Sequence, residues 1–154
     1  MARSEPPGEI SVRDATASDA PAVAELLTEL GASGVDSAEA ARRLDRGYER
    51  VLLGFVDGEP AGLVALMRLH YLGHADPLVQ VTAMVVAPQF RRVGVGRGLM
   101  TQAAEVARAW GCAGVELTTA LTPQREAAHV FYTALGYERT SYRYWLPVTP
   151  DGAQ

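Results

Sequence analysis

The amino-acid sequence predicts a single α/β domain. With 154 residues, of which 48% are hydrophobic and 21% charged, the chain has the length and composition of one compact globular domain. Some segments carry apolar residues at helical spacing, whereas others are short runs rich in β-branched residues. The predicted elements follow the order β-α-α-β-β-β-α-β-α-β. We expect the domain to span residues 10–148, between a flexible N-terminal tail over residues 1–9 and a C-terminal tail over residues 149–154.

The first half of the chain predicts a strand, two helices and a hairpin. Ser18 is a candidate cap for the first helix, which Gly31 ends. Asp36 with Glu39 three residues later resembles a capping box for the second helix. Asp57-Gly58 is typical of a tight hairpin turn. The expected strands are residues 10–15, 51–56 and 61–72, and the expected helices end at Gly31 and run from Ser37 to Arg46.

The second half predicts alternating strands and helices. Leu99, Ala103 and Val106 recur at helical spacing before Trp110. Thr122 as cap, with Pro123 at the first helical position, predicts the start of the last helix. The expected strands are residues 78–86, 113–119 and 137–148, and the expected helices are residues 96–110 and 122–135.

Composition excludes several classes of function. The formal net charge of -4 argues against nucleic-acid binding, and the complete absence of lysine excludes a Walker A phosphate loop. A single cysteine, Cys112, and three scattered histidines give no metal-ligand spacing, so we expect no metal site. No run of about 18 apolar residues and no signal peptide is visible, which predicts a cytoplasmic protein without a membrane anchor.

Residues 91–98 are a candidate anion site, because they contain three arginines and three glycines directly before a predicted helix. Glycines let the backbone approach a ligand closely, and the first turn of a helix offers unpaired N–H groups with partial positive charge. Together these features are typical of a pyrophosphate site. The alternative is a glycine-rich loop with solvated arginines.

A dinucleotide-binding loop is the obvious rival for this segment, and it would make the chain an NAD-dependent oxidoreductase. The G-x-G-x-x-G pattern, however, requires glycine at position 99, where the chain has Leu99. The first glycine should also follow the strand almost directly, whereas residues 87–93 intervene. Selective binding of NAD would be needed to support this rival.

Two motifs give the sequence a family resemblance. Val86-Ala87-Pro88 followed by Arg91-x-x-Gly94-x-Gly96 matches the acyl-coenzyme A motif of the GNAT superfamily of acetyl-CoA-dependent N-acetyltransferases. Ala128-x-x-Phe131-Tyr132-x-x-Leu135-Gly136-Tyr137 resembles a second signature of that family. The resemblance implies a mixed, mostly antiparallel sheet flanked by helices. Within that sheet, the strands over residues 78–86 and 113–119 would run parallel and splay apart to admit the coenzyme.

The resemblance also implies roles for individual residues. The main chain of Met84, Val85 and Val86 would pair with the pantetheine arm of acetyl-CoA. Tyr132 would be the general acid, although a packing role for its ring is the simpler alternative. Many relatives carry asparagine where this chain has Arg125, which we expect to contact the cofactor. The residues expected at the pyrophosphate are Arg91, Arg92, Val93, Gly94, Val95, Gly96 and Arg97.

The implied reaction is direct attack of a primary amine, on a small molecule or a peptide, on acetyl-CoA in a ternary complex. The sequence leaves the general base open among Glu116, His129, His70, Asp76 and water. It also leaves open a noncatalytic acyl-CoA-binding or sensor module. Homodimers are common in the family, so a homodimer is a further expectation.

Overall fold

The computed structural model describes residues 8–149, and the chain divides after Leu117 into two units that are treated separately. Residues 1–7 and 150–154 of the expected tails lie outside the described residues. The strands are β1 (Ile10–Asp14), β2 (Arg50–Val56), β3 (Glu59–Leu69), β4 (Leu78–Val86) and β5 (Val115–Glu116). The helices are α1 (Ala20–Leu30), α2 (Ser37–Arg46), α3 (Val95–Ala109) and α4 (Glu126–Ala134).

The first unit holds a five-stranded sheet in the order β1-β2-β3-β4-β5. Its first three pairings are antiparallel, and only β4 and β5 run parallel. The expected fold class, a mixed and mostly antiparallel sheet flanked by helices, is therefore confirmed. The β2–β3 turn has positive φ angles of 49° at Asp57 and 81° at Gly58, which is the geometry that an Asp-Gly hairpin turn requires.

The helices of the first unit cover both faces of the sheet. Leu53 and Leu63 face each other across β2 and β3 and pack in one cluster with residues of α1 and α2. Successive strand residues point to opposite faces, so Gly54 and Gly62 lie on the other side. There a Cβ on either glycine would approach the Val95 side chain to 3.0 and 3.2 Å. The missing side chains thus let the N-terminal end of α3 pack directly on the sheet.

The helix ends predicted at Asp36 and Gly31 are found where the sequence placed them. The Asp36 side chain accepts a hydrogen bond from the N–H of Glu39 at 2.8 Å, and Gly31 ends α1 with a φ of 95°. Ser18 is not the cap of α1. Instead, the chain enters α1 through a short 3-10 turn, where the Asp19 carboxylate accepts the N–H of Thr16 at 2.8 Å.

The last two predicted strands differ from the structure. The strand expected over residues 113–119 is only the two-residue β5, and the strand expected over residues 137–148 is wrong, because residues 137–149 form no strand. Its alternating aromatics do not mark a buried face, since Tyr142 and Tyr144 are 83% and 91% exposed. Without one buried face, alternation alone does not fix a strand or its register.

Candidate functional site

The segment between β4 and α3 turns through backbone conformations that few residues adopt. A 3-10 turn over Pro88–Phe90 follows β4, and then Arg92 and Gly94 have positive φ angles of 64° and 102°. Glycine adopts positive φ without steric cost, whereas a residue with a side chain loses on the order of 1 kcal/mol or more. Gly94 is the N-cap of α3, so the turn brings the start of this helix next to the end of β4.

The first turn of α3 offers backbone N–H groups without partners. Gly94 has no capping side chain, and the first hydrogen bond of the helix runs from the N–H of Gly98 to the carbonyl of Gly94 at 3.0 Å. The N–H groups of residues 95–97 have no hydrogen-bond partner within residues 8–149. They point out of the helix at the positive end of its dipole, an arrangement that binds phosphate groups.

The three arginines of this segment have different surroundings. Arg91 donates from Nε to the carbonyl of Val86 at 3.1 Å, and its Nη2 lies 3.4 Å from Oε1 of Glu29 on α1. Arg92 and Arg97 are exposed and form no ion pair with any described residue. Arg91 therefore ties the end of β4 to α1, while Arg92 and Arg97 keep an unneutralised positive charge beside the start of α3.

The second half of β4 has one unpaired edge. Residues 84–86 pair with β3, but β5 pairs with β4 only at Val79 and Gln80. The ladder with β3 is irregular between Ala65 and Leu66, where β4 carries one extra residue, and a bulge of this kind bends a strand. Beyond Gln80, β4 therefore presents main-chain groups to which an extended ligand can bind as an added strand.

Glu116 on β5 has a defined hydrogen-bond partner. The hydroxyl of Tyr71, in the loop after β3, donates to its Oε1 at 2.6 Å. This hydrogen bond to a carboxylate, together with burial, raises the pKa of Tyr71 above its usual value. The ring of His74 lies 5.7 Å from that of Tyr71, centroid to centroid. Sequence analysis missed Tyr71, because no local pattern links it to a residue 45 positions away.

The other candidate bases differ in their exposure and hydrogen bonding. His70 and Asp76 are exposed in the β3–β4 loop. In the second unit, Nε2 of His129 lies 3.0 Å from the carbonyl oxygen of Ala120. A carbonyl only accepts hydrogen bonds, so this contact places a proton on Nε2 and occupies that nitrogen. In that tautomer, Nδ1 is the nitrogen that can accept a proton.

Tyr132 in α4 is half-buried among aromatic rings. Its ring meets those of Phe131 and Tyr137 edge-on, with centroid distances of 5.1 and 5.8 Å. Burial, with a smaller contribution from Tyr137, raises the pKa of Tyr132 to about 12, whereas the positive charge of Arg125 acts in the opposite direction. The hydroxyl is therefore protonated at neutral pH.

The environment of α4 only partly follows the helical pattern. No residue of α4 is fully buried, and Val130, which apolar periodicity would place inside, is 66% exposed. Arg125 closes the 3-10 turn that precedes α4. Tyr132 and Arg125 belong to the second unit, while residues 84–86, residues 91–97 and Glu116 belong to the first.

Residues 8–149 contain neither a candidate metal-binding cluster nor a candidate membrane-spanning helix. No group of three or more His, Cys, Asp or Glu side chains is arranged to hold a metal ion. In the same part of the chain, no helix combines the length and apolar character needed to cross a membrane.

Comparison with known proteins places this geometry in context. A model described as the acetyltransferase (GNAT) family matches residues 20–137. Aminoalkylphosphonate N-acetyltransferase of Salmonella typhimurium is 31% identical over 138 residues, which are 86% of this chain and 88% of that protein.

Two solved structures share the fold at low sequence identity. The ribosomal-protein-alanine N-acetyltransferase of Brucella melitensis has a TM-score of 0.79 and 20% identity, covering 92% of this chain and 100% of that one. An aminoglycoside N-acetyltransferase in complex with CoA has a TM-score of 0.79 and 18% identity, covering 92% of this chain and 95% of that one.

Proposed function

The chain belongs to the GNAT family of acetyl-CoA-dependent N-acetyltransferases, and we propose that it acetylates a primary amine by direct attack in a ternary complex. The observation that carries the proposal is the unpaired edge of β4, which leads through a glycine turn to the uncapped start of α3. A pantetheine arm carries amides that can pair with such an edge, and a pyrophosphate fits the helix N-terminus that follows.

In this proposal the cofactor is held mainly by main-chain groups. Residues 84–86 pair with the pantetheine arm, and one N–H there polarises the thioester carbonyl. Residues 91–97 bind the pyrophosphate, with Arg92 and Arg97 adding positive charge. Arg125 is a further proposed contact. When bound, acetyl-CoA supplies the activated acetyl group.

Tyr132 is the proposed general acid. Its raised pKa keeps the phenol protonated at neutral pH, so it can donate a proton to the departing sulfur. The positive charge of Arg125 lowers the same pKa and so favours the phenolate that proton donation leaves behind.

Glu116 is the proposed general base. An ammonium substrate must lose a proton before it can attack, and Glu116, which lies opposite Gln80 where the pairing of β4 with β5 ends, can accept that proton directly or through water. The hydrogen bond from Tyr71 at 2.6 Å fixes the orientation of the Glu116 carboxylate. We place Glu116 ahead of His129 because Glu116 belongs to the same unit as β4, whereas His129 lies in the second unit.

The test is thiol release from acetyl-CoA with a panel of primary amines that includes a short aminoalkylphosphonate. We expect turnover, and we expect Tyr132→Phe to lower kcat by roughly 10²-fold or more, the usual contribution of a general acid. Affinity for acetyl-CoA should stay within about twofold, because the proposed contacts to the pantetheine arm and the pyrophosphate lie in the first unit. Tyr137→Phe removes a neighbouring hydroxyl and is the matched control. Its kcat should stay close to that of the wild type.

Two outcomes would count against this account. If Tyr132→Phe turns over like the wild type, Tyr132 is not the acid. If acetyl-CoA binds tightly but no amine in the panel releases its thiol, the chain is better described as a noncatalytic acyl-CoA-binding or sensor module.

A further inference from the structure

We propose that the acceptor amine binds in a cavity of about 220 Å³ between the α1–α2 pair and the sheet, and that the acceptor is a small primary amine with an apolar body about as large as one ring. This inference rests on the proposed function, because it assigns the second substrate of the same reaction.

The position of the cavity supports its role. Its floor, defined here as Leu63, Ala65, Thr82 and Ala83, lies on β3 and β4. Ala83 directly precedes Met84, and consecutive Cα atoms are about 3.8 Å apart. An amine on the floor is therefore next to the segment proposed to hold the thioester. The larger concavity of the first unit, about 500 Å³, contains no residue of β4 in its lining.

The walls of the cavity are apolar. They are formed mainly by Val23, Leu27, Leu30, Val35, Leu44 and Val51. Protein interiors rarely leave voids larger than a water molecule, so an apolar gap of this size within a packed cluster is suited to receive part of a ligand. On the floor, the hydroxyl of Thr82 already donates to the carbonyl of Ala65 at 3.3 Å, which leaves little hydrogen-bonding capacity for a polar substrate.

The volume sets the size of the acceptor. An apolar cavity of about 150 Å³ holds benzene, whereas sites for drug-sized ligands are roughly 300–1,000 Å³. At about 220 Å³, the cavity fits one ring with a short arm that carries the amine. It is too small to enclose a multi-ring aminoglycoside.

Two charged side chains, Arg43 and Glu49, also line the cavity. Arg43 is 56% exposed and its Nε binds Glu39 at 2.8 Å. Glu49 is half-buried and forms no hydrogen bond or ion pair within the described range. Since Glu39 already neutralises Arg43, the charged part of the lining does not favour an anionic tail. The apolar walls therefore set the preference.

The experiment compares phenethylamine with ethylamine, 2-aminoethylphosphonate and an aminoglycoside as acceptors. We expect kcat/KM for phenethylamine to exceed that for ethylamine by roughly 10- to 100-fold, the ratio that burial of one phenyl group supplies. Ala83→Leu narrows the floor and should lower the ratio of kcat/KM for phenethylamine to that for ethylamine at least tenfold. Ala38→Leu, an exposed position on α2 outside the cavity, is the matched control and should change nothing.

Contradictory outcomes separate this inference from the proposed function. Similar kcat/KM for all amines, unaffected by Ala83→Leu, would overturn the cavity assignment and leave acetyl transfer intact. No turnover with any amine would count against the proposed function. In that case, calorimetry tests whether phenethylamine binds in the cavity. Binding that Ala83→Leu abolishes supports the assignment, and absence of binding overturns it. If Ala83→Leu does not fold, Val35→Ala is the second variant, because it enlarges the cavity. It must raise kcat/KM for a two-ring amine at least tenfold, and no such rise overturns the inference.

Discussion

Tyr71 donates its hydroxyl hydrogen to Glu116 at 2.6 Å, across 45 positions of the chain. Alone, a strand carboxylate at an exposed edge has many side-chain rotamers. The hydrogen bond selects one of them and ties the carboxylate to the loop after β3. Tyr71 is therefore a positioning residue in this account, and Glu116 is the group that exchanges the proton.

Removal of the Glu116 carboxylate gives a prediction about pH. In Glu116→Gln, kcat/KM at pH 7 should fall by roughly 10²-fold or more, because no side chain takes the ammonium proton. The loss should shrink as the pH rises towards 10, since the fraction of neutral amine then grows about tenfold per pH unit. Tyr71→Phe should show a smaller loss with the same trend, and with an unchanged KM for acetyl-CoA.

The control for this prediction is Glu105→Gln, which removes an exposed carboxylate that pairs with Arg108 on α3. Its pH profile should match that of the wild type. A profile of Glu116→Gln that runs parallel to the wild type at every pH would show that Glu116 is not the base.

Arg92 has a backbone conformation that is rare for a residue with a side chain. Its φ of 64° is unfavourable for a side chain, and glycine would relieve it. The arginine nevertheless stands there, exposed, beside the start of α3. Strain of this kind concentrates at binding sites, which agrees with a role for this segment in holding an anion.

At the scale of elements, the contact of α3 with β3 decides where the proposed pyrophosphate site lies. A Cβ at Gly62 would come within 2.8 Å of the carbonyl oxygen of Val85 and within 3.2 Å of the side chains of Leu99 and Val95. Backbone in β4 or the start of α3 must then shift. Both are parts of the proposed cofactor site.

Gly62→Ala should therefore destabilise the protein by about 1–3 kcal/mol, the usual cost of overpacking, and weaken acetyl-CoA binding at least tenfold. Urea unfolding and calorimetry check the two effects. Gly73→Ala is the matched control, because a Cβ there meets nothing within 4 Å and the change should stay within about 0.5 kcal/mol. Wild-type affinity of Gly62→Ala for acetyl-CoA would contradict the proposed placement of the cofactor site.

The local sequence correctly predicts the elements that depend on interactions between nearby residues. Asp36 caps α2 and Asp57-Gly58 turns the hairpin, because each acts on residues within a few positions. The strand expected over residues 137–148 failed for the opposite reason. A strand needs partners distant in sequence, and alternating aromatics do not specify them. The Tyr71–Glu116 hydrogen bond was equally invisible to local patterns.

At the scale of the whole molecule, the sequence predicted the family and the fold class, because two motifs and the element order agree. The glycine turn before α3 has the expected position, and β4 and β5 run parallel as the resemblance implied, with pairs only at Val79 and Gln80. The acceptor cavity could not be predicted, since its walls come from α1, α2 and three strands that only the fold brings together.

The proposed binding of acetyl-CoA along β4 and at the start of α3 is the central claim, and amide hydrogen exchange tests it most directly. Unpaired amides exchange quickly and are protected when they donate to a ligand. Saturating acetyl-CoA should slow exchange in two stretches, residues 81–86 and residues 94–97, at least tenfold, while NAD leaves both unchanged. Unaltered exchange in both stretches, with protection elsewhere in the chain, would contradict the account.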